Sequence, residues 1–436
     1  MKRVYIETYG CQMNVADTEL MFGVLGAHGF VRVDDPALSD VILVNSCAVR
    51  DHAEQRVAGR VGDLMRHKRP GSVLGVVGCM AQRLGGALLD QIPRLDLVVG
   101  PDGYRNLPGL ILDASAGRRA ADTEFRSWEH YEDAPPVRDP GPTAFVTVQR
   151  GCDYQCTFCI VPATRGPERS RQLGDVVAEV RALAERGTTE VTLLGQTVNS
   201  YHDGRHDFAA LLRAVGAVDG IRRLRFTSPY PTDFTDPVIE AMAETPAVCE
   251  HVHLPVQSGS NAVLRRMLRR YTRDQYLEVV GKLRASIPGI TLSTDVIVGF
   301  PGETEEQFQE TVSLVSEAAF DDAYTFRYSV REGTPAVKLK DHVEDAVAAD
   351  RLDRLVAVSR AQTRRKNIER VGSTHQVLVE QSAKRGGMLG RTRTNLLVLL
   401  ELGPEAIGQY HQVRLTGTTG STFIGTFSAP HALTVL

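Results

Sequence analysis

The sequence predicts an α/β protein in three units: an open parallel α/β sheet, an open six-unit β/α barrel, and a small OB-like β-barrel. Three observations predict it. Apolar runs of β type alternate with helical stretches over the first ~100 residues. The alternation breaks over 114–142 and then resumes for six more units. After residue 370 the helical period gives way to short β runs broken by Gly and Thr.

In the first unit, 1–118, the runs "RVYIETYG", "VILVNSC", "VLGVVGC" and "LDLVVG" read as strands. "ADTELMFGVLGAHG" and "DHAEQRVAGRVGDLMRHKR" between them read as amphipathic helices. The stretch 114–142 is rich in Ala, Pro and charge without any period, and reads as a linker. Trp128, the only tryptophan, is expected to pack on a neighbouring surface. The second unit, 138–370, carries "FVTVQ", "EVTLLGQ", "RLRFTS", "HVHLPVQ", "TLSTDVIVGF" and "AYTFRYS". Parallel strands with helical crossovers keep one hand, and six units curl a sheet without reaching the eight that close the common barrel. Residues 344–370 read as one long amphipathic helix. The third unit, 371–436, holds the β runs "HQVLVEQ", "LLVLLEL", "YHQVRLTG" and "STFIGTF".

Of the 436 residues 42% are hydrophobic and 24% charged, as in a globular protein with a sizeable core. The formal net charge of −3 gives no global positive field, so any nucleic-acid contact must come from local patches. The opening "MKRVYIETYGCQMN" lacks the apolar stretch of a signal peptide, and no run is long enough to span a bilayer. The expectation is a cytoplasmic protein without membrane contact. Its thiols are then reduced, and clustered cysteines point to metal or redox chemistry rather than to disulfides.

Cys152, Cys156 and Cys159 have the spacing C-x3-C-x2-C and follow the first barrel strand, at the end where such barrels do chemistry. Thiolates suit zinc or iron–sulfur clusters. A structural zinc site is closed by four protein ligands, but the loop holds no His and no fourth Cys, the nearest upstream His being His130. A 4Fe–4S cluster normally takes four cysteines; with three, one iron keeps an open position for a substrate or cofactor. A zinc knuckle or plain buried thiols are the alternatives that spacing alone leaves. Cys11, Cys47 and Cys79 are far apart, yet each stands at the C-terminal end of a predicted strand. In an open parallel sheet those ends share one ligand-binding edge, and Gly10 and Gly78 let backbone approach closely. The reading is a second three-cysteine cluster; the alternative is three unrelated core residues. Cys249 has no companion and reads as an ordinary core or surface thiol.

C-x3-C-x2-C with an aromatic, Phe158, before its last cysteine resembles the radical S-adenosylmethionine enzymes. In them the open iron is chelated by the cofactor's amino and carboxylate groups, and one electron cleaves a carbon–sulfur bond to give a 5′-deoxyadenosyl radical. Two three-cysteine sites followed by a small β module resemble the methylthiotransferase family of these enzymes. "TYGCQMN", "VPATRGPERSR", "HLPVQSGS" and "STDVIVGFPGETEEQF" are the specific matches, and the resemblance covers essentially the full chain. It implies that 371–436 is a TRAM domain. "YGCQMN" and "GRTRTN" most resemble the branch that methylthiolates C2 of N6-(dimethylallyl)adenosine next to the anticodon in tRNA. Sister branches act on threonylcarbamoyladenosine or on a ribosomal-protein aspartate.

The resemblance further implies two 4Fe–4S clusters, S-adenosyl-L-methionine as methyl donor and radical source, tRNA, a reductant protein such as flavodoxin or ferredoxin, and a monomer. It places Gln196 at the cofactor's amino group, Gln257 and Ser258 at its ribose or carboxylate, and backbone of Phe158 at its adenine; the alternative for each is an ordinary polar loop or packing. No catalytic residue beyond the cluster ligands is assigned. Thr304 and Gln307 match a helix capping box, so "PGETEEQF" is at least partly structural. "LRRMLRRY" places Arg265, Arg266, Arg269 and Arg270 on one helix, and "SAKRGGMLGRTRTN" places Lys384, Arg385, Arg391 and Arg393 in and beside a β turn. Arg391 and Arg393 are taken as RNA-binding through the TRAM resemblance, with a solvated face as the alternative. The target base is expected to be unpaired in a loop. A rival from another class is a noncatalytic iron–sulfur protein that binds RNA or senses redox state.

Overall fold

Six parallel strands begin the structure, a computed structural model that describes residues 1–48 and 51–427. Residues 428–436, the end of the third expected unit, lie outside the described residues. The strands are β1 (Arg3–Tyr9), β2 (Val31–Arg32), β3 (Val41–Ser46), β4 (Val73–Gly78), β5 (Leu97–Val99) and β6 (Ala120–Asp122). Their order is β2-β1-β3-β4-β5-β6. The connecting helices are α1 (Gln12–Ala27), α2 (Asp51–Leu64), α3 (Cys79–Leu84), α4 (Ala87–Gln91) and α5 (Leu107–Ser115). β3 and β4 are buried at every position, as both-sided packing of a parallel sheet demands of continuous apolar runs. Val4, Leu43 and Leu107 pack on one face of the sheet, Val44, Val57 and Val76 on the other. The order reverses between β1 and β3, which makes the C-terminal ends of these strands a topological switch point.

The stretch expected to be a linker is only partly one. It supplies β6, and Tyr131 is buried with its hydroxyl donating to the Pro101 carbonyl at 2.9 Å. A three-residue edge strand carries too few side chains to show a period. Trp128 does not pack as expected: it is 67% exposed.

The second region holds β7 (Thr143–Thr147), β10 (Glu190–Leu194), β11 (Arg223–Phe226), β12 (His251–His253), β13 (Thr291–Val298) and β14 (Asp322–Arg327), with β8 (Gln149–Arg150) and β9 (Arg169–Ser170) as a small antiparallel pair. The order β7-β10-β11 joins β12-β13-β14 through a parallel bridge between Leu224 and Val248. All pairs are parallel, and β7 and β14 share no ladder, so the six expected units curl without closing. Helices α6 (Val161–Arg165), α7 (Leu173–Glu185), α8 (Phe208–Gly216), α9 (Asp236–Glu244), α10 (Asn261–Arg266), α11 (Arg273–Ser286) and α12 (Glu305–Ala318) connect them. The α12 N-terminus is the capping box read from Thr304 and Gln307. A long helix, α13 (Asp345–Arg370), then runs along β14 and α12. No helix among the described residues is long and apolar enough to cross a membrane.

Five strands close the last region: β15 (Thr374–Ser382), β16 (Met388–Thr392), β17 (Leu397–Leu400), β18 (Tyr410–Thr418) and β19 (Thr422–Phe427), in the order β15-β16-β17-β19-β18. Val377, Val398, Val413 and Phe423 fill it. β16 is hidden in "GGMLGRTRTN", whose Gly and Arg content reads as a turn. The small barrel sits across the N-terminal ends of the central strands. Arg223 donates to the carbonyls of Arg391 (2.7 Å) and Gln376 (2.8 Å), Arg225 to those of Thr392 (2.7 Å) and Arg393 (3.0 Å), and Thr291 to that of Thr394 (2.7 Å).

Candidate metal centres and the bridge between them

The first candidate site is the loop after β8. Gln149, fully buried, organises it: its amide oxygen accepts from the Gln196 backbone N–H at 2.8 Å, and its amide nitrogen donates to Gly151 O and Thr197 Oγ1, both at 3.2 Å. The Gln196 side-chain oxygen accepts from the Gly151 N–H at 2.6 Å, fixing the residue before Cys152. Cys152 and Cys156 are buried and Cys159 partly so. Thr197 Oγ1 donates to Cys152 Sγ at 3.7 Å and Arg269 Nη1 to Cys156 Sγ at 3.5 Å. Burial raises the Cys152 thiol and pushes that of Cys159 up to about 12, so binding a cation is what would favour the thiolate at these two.

The second candidate site lies at the switch point. Cys11 follows β1, Cys47 follows β3 and Cys79 opens α3 after β4, on three adjacent strands. A hydrogen bond with Cys47 and the charge of Arg165 bring the Cys11 thiol down to about 6, whereas burial raises that of Cys79. The two glycines are required by close approach. A Cβ on Gly10 would lie 2.8 Å from Cys47 Cβ; one on Gly78, at φ +93°, would lie 2.4 Å from Asn45 Oδ1. Among the described residues no three His, Cys, Asp or Glu side chains close as tightly as one metal ion requires. A four-iron cluster is larger than an ion and holds its thiolates farther apart.

The two sites adjoin. Ile160, next to Cys159, packs against Cys79 and Ala48. Arg165, at the end of the helix that follows Cys159, donates through Nε to Cys79 Sγ at 3.2 Å and through Nη2 to Asp17 at 2.7 Å. Asp17, on α1 and fully buried, also accepts from Arg150 at 3.0 Å and from the Tyr104 hydroxyl at 3.3 Å. Burial works against charge on Asp17, but Arg165 and Arg150 hold it below the usual carboxylate range. Asp102 and Arg169 form a second buried ion pair across the same boundary. The Nη1 of Arg165 is buried beside the Cys79 thiol with no acceptor among the described residues, which fits a sulfur-rich anionic group held by Cys11, Cys47 and Cys79.

The remaining expected residues divide. Gln257 ends the bridge to Val296 at φ +69°, a conformation that L residues adopt at a cost, and its amide makes no side-chain hydrogen bond among the described residues. The structure turns Ser258 elsewhere: it is fully buried, with its hydroxyl against Thr311 Oγ1 (3.2 Å) and the Ser260 N–H (3.2 Å), so it shapes the turn before α10. The Phe158 ring packs edge-on against Phe300. Cys249 is a buried core thiol. The arginine run is no single helical face, because α10 stops at Arg266 and Leu268 is left-handed. Arg269 instead lies over the Tyr230 and Tyr271 rings beside Cys156, and Arg270 over the Tyr154 ring. Arg391 and Arg393 do not present free charge. Arg391 is on β16, paired with Glu380 at 3.3 Å; Arg393 grips Glu250 at 2.7 Å and the carbonyl of Val248 at 2.7 Å. Lys384 and Arg385, in the β15–β16 turn, are exposed and have no ion-pair partner among the described residues. Gln149, Asp17, Arg150 and Arg165 were not singled out from sequence; the one signal was the charged "TRG" within "VPATRGPERSR", so close behind the third cysteine.

Comparison with known proteins agrees with this architecture. Residues 146–315 match the radical SAM superfamily and residues 3–100 match uncharacterized protein family UPF0004. Among solved structures, the radical S-adenosylmethionine methyltransferase TsrM from Kitasatospora setae superposes with a TM-score of 0.59 at 16% identity, covering 77% of each chain. The cobalamin-dependent S-adenosylmethionine radical enzyme OxsB gives 0.55 at 13% identity, covering 82% of this chain and 56% of that one. These two share the fold. The relatives in sequence are nearer. A tRNA-2-methylthio-N(6)-dimethylallyladenosine synthase from Chloroherpeton thalassium is 42% identical, covering 97% of this chain and 95% of the relative. Those of Geotalea uraniireducens (95% and 96% covered) and Geobacter sulfurreducens (97% of each) are both 44% identical. On this nearly end-to-end identity, the chain belongs to the family of tRNA-2-methylthio-N(6)-dimethylallyladenosine synthases, within the radical SAM superfamily.

Proposed function

We propose that this protein is a tRNA methylthiotransferase that places a methylthio group on C2 of N6-(dimethylallyl)adenosine next to the anticodon. The observation that carries the reading is the adjacency of two three-thiol sites, joined by Ile160 and Arg165, in a chain whose relatives bear that enzyme's name. An aromatic C–H is too inert for acid–base chemistry at neutral pH; bound 4Fe–4S clusters and S-adenosylmethionine supply the radical and the sulfur that it needs. The chain's own residues bind and orient. Cys152, Cys156 and Cys159 are the ligands at the barrel site, and Cys11, Cys47 and Cys79 those of an auxiliary cluster. Thr197 and Arg269 donate to barrel-site sulfurs, which tunes and orients the group held there. Gln149 and Gln196 hold the loop, and Gln257 offers its amide to the cofactor.

We assign residues 1–118 to the auxiliary-cluster domain, 138–370 to the radical core and 371–436 to the TRAM domain. RNA docking goes to Lys384 and Arg385, because the Arg391 side chain is paired with Glu380 within the small barrel and that of Arg393 fastens the barrel to the core through Glu250. The protein acts in the cytoplasm as a monomer and receives electrons from a flavodoxin- or ferredoxin-type reductant. The test is anaerobic incubation of the reconstituted full chain with S-adenosylmethionine, reductant and tRNA bearing the prenylated adenosine. Mass spectrometry of digested nucleosides should show the methylthiolated base, and the supernatant 5′-deoxyadenosine. Turnover of threonylcarbamoyladenosine instead reassigns the branch; no 5′-deoxyadenosine at all points to a noncatalytic sensor.

A further inference from the structure

Among the described residues, the buried charges between the two sites do not balance. Arg165 and Arg150 carry two positive charges, and Asp17 is the one carboxylate bonded to both. Arg165 is 3% exposed, and two of its three nitrogens are engaged, by Cys79 and by Asp17. The third, Nη1, is buried and has no acceptor among the described residues. A guanidinium N–H out of water without a partner is costly. The surplus positive charge and the free donor both lie beside Cys79, toward the edge where Cys11 and Cys47 stand.

We propose that Arg165 is a positioning residue for the auxiliary cluster: its Nη1–H and Nε–H donate to sulfurs at that site, and the Arg165–Asp17 pair sets the cluster's reduction potential. The proposal rests on the reading that the N-terminal triad holds a cluster. Hydrogen bonds to cluster sulfurs and nearby positive charge stabilise the more negative, reduced state and so raise the potential. Asp17 opposes this by partly neutralising the guanidinium. The two residues therefore act with opposite sign, which a purely structural pin does not.

The test uses the full chain with Cys152→Ala, Cys156→Ala and Cys159→Ala, so that only the auxiliary site contributes signal. Iron is counted after anaerobic reconstitution, and the midpoint potential is read by electron paramagnetic resonance during a reductive titration. The parent should hold about four irons. Arg165→Gln should shift the midpoint to more negative values, Arg165→Lys should recover part of the shift, and Asp17→Asn should move it the other way. An iron-free parent overturns the cluster reading and this proposal with it. A normal iron count with an unmoved midpoint in Arg165→Gln overturns the proposal alone. If Arg165→Gln does not fold, Arg165→Lys and Asp17→Asn decide it: midpoints equal to the parent's, or shifted in the same direction, overturn it.

Discussion

The two cysteine triads do the same geometric work by opposite means. The barrel triad is local: eight consecutive residues carry all three thiols, and the loop is held by Gln149 from its own flank and by Gln196 from just after β10. The N-terminal triad is assembled at distance, from β1, β3 and β4, and exists only once the sheet has formed. A local site survives errors elsewhere in the fold. A distributed one inherits every requirement of the sheet, including close approach at Gly10 and Gly78 and the charge bridge at Asp17.

The largest expected effect separates the chemical roles. Replacing Cys152, Cys156 and Cys159 together with Ala should abolish 5′-deoxyadenosine formation. Replacing Cys11, Cys47 and Cys79 should leave it measurable while eliminating methylthiolated product. Each triple variant should hold about four irons in place of about eight. Equal loss of cofactor cleavage in both would erase the distinction.

Next comes the bridge. Asp17→Ala leaves Arg150 and Arg165 buried without their carboxylate and should cost about 3–5 kcal/mol in chemical denaturation of the apoprotein. A midpoint unchanged within error would mean that water reaches both guanidiniums. A smaller change targets the distributed site alone. Gly78→Ala forces an L residue to φ +93° with its Cβ against Asn45, at about 1–3 kcal/mol. It should lower iron at the auxiliary site while the iron of the barrel site, counted in the N-terminal triple variant background, stays constant.

The pH dependence is subtler. The pKa of Asp17 is lowered in the folded chain, so its stabilisation is present above its ordinary value of 3.8 and is lost as pH falls through the depressed folded value. Arg165→Gln should lessen that depression and move the acid-unfolding midpoint of the apoprotein upward. Smallest is RNA docking, which touches neither triad. Lys384→Ala and Arg385→Ala should each reduce the salt slope of tRNA binding by roughly 0.7–0.9. Arg391→Ala should change it less, because its charge already faces Glu380.

The same contrast explains what the sequence discloses. The C-x3-C-x2-C spacing is legible because its ligands are sequence neighbours. The second triad is legible only through strand ends, since period and position place each cysteine on one edge. The bridge was not legible. Asp17 stands in a helix buried along most of its length, where its charge looks like an exception, and its two arginine partners come from 133 and 148 residues away. The partner of Arg393 is hidden for a related reason. A basic residue near a glycine-rich turn looks free until the fold brings Glu250 to it. Short edge strands such as β2 and β6, and the arginine-bearing β16, fell below what a period of two can reveal.

The seating of the small barrel on the central one has a consequence for synthesis. Arg223 and Arg225 are buried at the barrel floor with Glu190 as their one acidic partner among the described residues, and they donate to carbonyls between residues 376 and 393. During translation those carbonyls emerge some 150 residues after the arginines they satisfy. At about 5–20 residues per second, the nascent central barrel waits on the order of ten seconds for these carbonyls, its two guanidiniums held meanwhile by Glu190 and water. The middle of this protein therefore cannot finish folding as it leaves the ribosome; its floor is laid last.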